Sequence, residues 1–123
     1  MTGWYCTSVF PYYDKVTCKK SFKVRPMLVI GESDSDEYVA LPVSKVSDKR
    51  RIHPLYDIKM EPADYPLLGL KVTSYLRVHK QTIMYTSDIT RKICNVCDAY
   101  PDLYLEMCEK LAMFNKKISD EMI

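Results

Sequence analysis

Between Phe22 and Ile30 the side chains alternate. Phe22, Val24, Pro26, Leu28 and Ile30 fall on one face of an extended chain, and Lys23, Arg25, Met27 and Val29 on the other. This period of two predicts a strand, and related patterns predict several more. Gly3–Phe10, rich in aromatic and β-branched residues, reads as a first strand followed by a long basic loop, PYYDKVTCKK. Beyond the acidic turn GESDSDE, Tyr38–Ser44 forms a third strand and His53–Met60 a fourth. Glu61–Gly69 is a proline-broken loop with one helical turn. Thr73–Tyr85 alternates again, with Leu76 and Val78 pointing one way and Tyr75, Arg77 and His79 the other, as in a half-buried strand.

The period then lengthens. Ser87 or Asp88 caps an expected short helix near Ile89–Val96. Pro101 suits a first helical turn, and Leu103, Met107, Leu111 and Phe114 then make one apolar stripe, so a C-terminal helix is expected over about 101–115, packed on the sheet. Glu106 and Lys110 are placed for an i,i+4 pair on the opposite face, and NKKISDEMI reads as a fraying tail. About five short antiparallel strands and one helix predict a mainly β fold with α: a small, SH3-like, twisted antiparallel barrel with a C-terminal helix. The length of 123 residues fits a single domain, residues 1–123.

Composition narrows the function classes. With 47% hydrophobic and 28% charged residues the chain is globular rather than disordered. It has no apolar run near the roughly 18 residues that span a bilayer, and its N-terminal stretch lacks the pattern of an export signal, so no membrane partner and a cytoplasmic location are expected. Reduced thiols are then expected for the five cysteines. Cys94 and Cys97 form a C-x-x-C, but no second ligand pair stands at zinc-like spacing, and the preceding strands do not build the βαβ unit of a redox motif.

Charge is unevenly placed. Residues 98–123 carry net −3, which leaves +5 on residues 1–97 of a chain whose formal charge is +2. The positive side chains gather in two clusters, Lys15, Lys19, Lys20, Lys23 and Arg25, then Lys45, Lys49, Arg50 and Arg51. Such clusters are usually solvated loops, but two on one small domain also match the footprint of a polyanion. A proline lacks a backbone donor and is tolerated at strand starts, edges and bulges, so Pro26 is expected to put Arg25 where the sheet meets a loop.

Three blocks in order, KVRPMLVIG, YVALPVSK and SYLRVHKQTIMYTSDITRKI, resemble the MazF/PemK family of toxin endoribonucleases over roughly residues 3–93. The resemblance implies an SH3-like barrel, a homodimer and a cognate antitoxin that blocks it. It also implies metal-independent cleavage of single-stranded RNA with no cofactor. Arg25 matches the arginine of the Arg-Pro block, catalytic in many members, and Arg77 matches a catalytic arginine of the PemK branch. Ser44 stands where a threonine is usual, and His79 where that branch has an aspartate. These departures leave two readings of one fold: an active endoribonuclease, or a nucleic-acid-binding or regulatory module without the base.

The residue types suit the chemistry. Cleavage through the ribose 2′-hydroxyl needs a proton acceptor, a cation for the charge developing at phosphorus, and a proton for the departing 5′-oxygen. Arg25 and Arg77 offer planar, permanent cations, His79 exchanges a proton near neutrality, and Ser44 can hydrogen-bond a phosphate oxygen. Lys20, Lys23, Lys45, Arg50, Arg51, His53 and Lys80 are the expected RNA contacts, and Tyr12, Tyr13, Tyr56 and Tyr75 the candidates to stack unpaired bases.

Overall fold

The alternation around Arg25 belongs to a longer strand than the sequence predicts. In the computed structural model, which describes residues 1–123, β1 runs Trp4–Asp14 and β2 runs Lys19–Asp34. PYYDKVTCKK is therefore not a long loop. Tyr5↔Leu28 through Asp14↔Lys19 pair without interruption, and the chain turns within Lys15–Cys18. Asp14 shapes that turn by accepting from the Val16 amide at 2.9 Å.

β3 (Glu37–Ser44) returns along β2, followed by a single 3-10 turn at Lys49–Arg51 and β4 (Asp57–Met60). β4 is shorter than expected because His53–Tyr56 is a turn. Another 3-10 turn, Pro66–Leu68, is the helical turn anticipated in the proline-rich loop. The Thr73–Tyr85 alternation is broken: β5 (Ser74–Arg77) and β6 (Thr82–Tyr85) are separate strands, and His79 lies in the turn between them. The helix expected near Ile89–Val96 is instead a strand, β7 (Ile89–Asn95), which pairs with Trp4–Ser8 of β1. Ile89, Thr90, Ile93 and Cys94 favour that extended partnership over one helical turn.

The seven strands form one antiparallel sheet in the order β4-β5-β3-β2-β1-β7, with β6 also on β3, curled into a half-barrel. A one-turn helix α1 (Val96–Ala99) leads into α2 (Pro101–Glu121), so the expected fraying tail is helical, with Lys116–Asp120 and Lys117–Glu121 ion pairs. Neither helix is long and apolar enough to cross a membrane. The predicted stripe is the face of α2 that packs down: Leu103 and Met107 are buried with Leu28, Leu41, Ile58 and Leu76, while Leu111 and Phe114 border the same core. Lys110 does not pair with Glu106; its ammonium donates to the Leu55 carbonyl.

Because β2 is buried on both faces near its middle, the sheet has a second, smaller core. Cys6, Met27, Val29, Ala40 and Met84 fill it on the side opposite α2. Lys23 and Arg25 continue that face beyond Met27, where β3 no longer covers it.

Candidate functional site

The opening beside Arg25 follows from two prolines. Pro26 pairs with Thr7 of β1, and pairing between β2 and β3 starts one residue later at Met27↔Pro42. Past Pro42, β3 leaves β2 and pairs through Val43 and Ser44 with β5. A ring nitrogen without a hydrogen costs least where a strand changes partners, so both prolines sit at the divergence. From there β2 and β3 splay apart, and Arg25 stands in the gap.

Arg25 borders three depressions. One, of about 520 Å³, is lined by Phe10, Tyr12, Lys23, Arg25, His79 and Lys80 among others. A second, of about 430 Å³, joins Arg25 to Ser44, Lys45, Arg51 and Arg77, and a third shares Arg25, Ser44 and Lys45 with Ser74. The four residues expected to do the chemistry are thus gathered around one arginine. Arg25 is exposed and takes part in none of the ion pairs of the fold.

Arg77 stands in the opposite condition. Its Nε and Nη2 donate to Asp57 Oδ1 at 3.1 Å and Oδ2 at 3.3 Å, and Nη2 also donates to the Arg51 carbonyl at 2.9 Å. Asp57 and Arg77 face each other in the β4–β5 register, and the Asp57 side chain is fully buried. Its Oδ2 further accepts from the His53 amide at 2.8 Å. Desolvating such a carboxylate is costly, and three donated hydrogen bonds offset the loss of water.

His79 packs against this pair. Its Nδ1 is 3.6 Å from Asp57 Oδ1, sealed from solvent and without a hydrogen bond. The ring lies among His53, Tyr56 and Phe114, with centroids at 5.0, 6.1 and 6.4 Å. Burial lowers its pKa below the ordinary histidine value, against the pull of Asp57, with Arg77, His53 and Lys80 adding to the lowering. The ring is therefore neutral at pH 7, and the contact with Asp57 becomes an ion pair only on protonation.

The remaining predicted contacts divide. Lys23 and Lys80 line the larger groove, where the Lys23 ammonium sits 4.7 Å from the centre of the Tyr12 ring, and Lys45 and Arg51 line the second. Lys20 lies outward on the hairpin opposite Tyr13. Arg50 is turned to Asp48 at 3.2 Å. His53 is held behind His79, its Nδ1 accepting from the amides of Leu55 and Tyr56. Tyr56 is buried beneath Phe114 and cannot stack a base; Tyr13 is exposed, and Tyr12 and Tyr75 are half-buried. Cys94 is buried, which raises its thiol pKa, while Cys97 is exposed; none of the five cysteines is in a disulfide.

Sequence reasoning missed Asp57. Its signal is an opposite charge directly across from Arg77 on the neighbouring strand, which becomes visible only once the β4–β5 register is known. No protein-family model matches the chain, and no curated protein matches it.

Proposed function

We propose that this protein is a metal-independent, sequence-selective endoribonuclease of the MazF/PemK type, acting as the toxin of a toxin–antitoxin pair. What carries the reading is Arg25, an arginine without a carboxylate partner at the junction of grooves that also hold Ser44, Arg77 and His79. A single-stranded RNA runs through the gap between β2 and β3 with its scissile phosphate on Arg25. The neutral His79 ring takes the 2′-hydroxyl proton, and the 2′-oxygen attacks phosphorus. Arg25 grips the phosphate oxygens as charge builds, assisted by the Ser44 hydroxyl and the Nη1 that Arg77 leaves unbonded. The P–O5′ bond breaks, and the 5′-oxygen takes a proton from water in the open groove. Products are a 2′,3′-cyclic phosphate and a 5′-hydroxyl.

Lys23, Lys80, Lys45 and Arg51 bind flanking phosphates, and Tyr12 offers a ring for an unpaired base. The hairpin tip, with Lys15, Lys19 and Lys20, suits an acidic antitoxin segment, and the active form is a homodimer located in the cytoplasm. Mapping RNA 5′ ends after brief expression tests the activity. Ends clustered at one short motif, and absent with Arg25→Ala, are expected. RNA that is bound but uncut would instead identify a nucleic-acid-binding module.

A further inference from the structure

We infer that Asp57 is a positioning residue that fixes the proton of His79 on Nδ1, so that Nε2 is the nitrogen offered to the groove. The inference deepens the proposed function and rests on His79 as proton acceptor in that reading.

The two ring nitrogens occupy different surroundings. Nδ1 is sealed and lies 3.6 Å from a fully buried carboxylate oxygen. Nε2 also lacks a hydrogen bond within the protein but is not sealed, and the residue lines the groove that Arg25 borders. A carboxylate accepts and cannot donate, so the tautomer with hydrogen on Nδ1 is attracted to Asp57 and the other places lone pair against lone pair. The choice leaves an unshared pair on Nε2, as proton abstraction requires. When Nε2 takes the 2′-hydroxyl proton, the resulting imidazolium already has a carboxylate beside Nδ1.

The surroundings of the ring reinforce the assignment. Arg77 reaches the same carboxylate through Nε and Nη2, and the His53 amide binds the second oxygen, so Asp57 cannot swing away. His53 is itself committed: Nδ1 accepts two amides, which puts its hydrogen on Nε2. The other groups facing His79 are Lys80, a cation, with Tyr56 and, from α2, the apolar Phe114. Asp57 is the carboxylate beside Nδ1.

Long-range ¹⁵N–¹H NMR of the full-length protein without RNA reads the tautomer directly. In the wild type, hydrogen on Nδ1 of His79 is expected; hydrogen on Nε2 would overturn the inference. Asp57→Asn keeps the shape and replaces one acceptor by a donor, so the His79 proton should move to Nε2, and kcat for RNA cleavage should fall about a hundredfold with KM changed less than about threefold. A folded Asp57→Asn protein with the wild-type tautomer and wild-type kcat would also overturn it. Should that variant not fold, the wild-type spectrum decides. If wild type cuts no RNA, the proposed function fails, and the tautomer still tests what Asp57 does.

Discussion

Arg25, inside β2, and Arg77, at the end of β5, border the same depression and differ in what surrounds their guanidinium groups. Arg77 is bonded to a buried carboxylate and a backbone carbonyl, whereas Arg25 is exposed and unpaired. The difference arises from strand pairing. β5 is covered on both edges, by β3 and β4, so Arg77 meets Asp57 across a ladder; β2 loses β3 at Pro42, so Arg25 has Ser8 of β1 on one side and no strand on the other. Arg77 commits Nε and Nη2 to holding the sheet and keeps only Nη1 free, whereas the whole guanidinium of Arg25 is left for a ligand.

Removing each in turn should separate stability from activity. Arg77→Ala leaves the Asp57 carboxylate buried without its cation and is expected to destabilise the fold by about 3–5 kcal/mol, measured by urea unfolding. Replacing Asp57 and Arg77 together by apolar residues of similar volume should recover most of that loss. A change below about 1 kcal/mol for Arg77→Ala alone would show that the pair contributes little and that the two arginines are alike.

Arg25→Ala should do the reverse. Its stability should shift by about 0.5 kcal/mol or less, as for an exposed side chain with no partner. Cleavage should drop a hundredfold or more, on the order of 3 kcal/mol of transition-state stabilisation. Arg25→Lys should rescue little, because an ammonium cannot reproduce a planar two-pronged contact. A folded Arg25→Ala protein cutting RNA at wild-type speed would remove Arg25 from the chemistry.

His79 packs beside the Asp57–Arg77 pair, and its burial gives a pH signature. Its folded pKa lies below the unfolded value of about 6.5, so the unfolded chain binds the extra proton first as pH falls. Stability should therefore decline as pH drops below about 6.5. His79→Gln should lessen that decline, and an unchanged pH profile would place the ring in water.

The contrast between the arginines was half legible in the sequence. Pro26 drew attention to Arg25 but suggested that the sheet meets a loop there; β2 instead runs on through Arg25 to Lys19, and the gap beside it comes from β3 leaving β2 at Pro42. The alternation of Phe22–Ile30 and the stripe from Leu103 to Phe114 are local patterns, and they predicted a strand and a packed helix that the structure contains. Asp57 was hidden because its partner is twenty residues away and is found only through register. Ile89–Asn95 misled for a similar reason. A cap residue before a short mixed run reads as a helix, and the pairing with β1 that makes it a strand is a long-range contact. Likewise, the alternation of Thr73–Tyr85 runs through a turn, because Val78 keeps the parity of a strand while its amide bonds to the Tyr56 carbonyl instead of a ladder neighbour.

A third arginine gives the finest test of the comparison. Arg50 and Arg25 are both exposed, so accessibility alone would make both contribute to RNA affinity. Their local charge differs: Arg50 donates from Nε and Nη2 to the two oxygens of Asp48, which neutralises it on site. A single-stranded ligand releases about 0.7 counterion for each phosphate neutralised, so the slope of log affinity against log salt counts effective cations. With a non-cleavable RNA carrying 2′-deoxyribose at the cut position, Arg25→Ala should lower the steepness by about 0.7. Arg50→Ala should leave it nearly unchanged, since Asp48 is released as the arginine is lost. Equal slopes for both variants would mean that exposure, and not the absence of a partner, decides which arginine meets RNA.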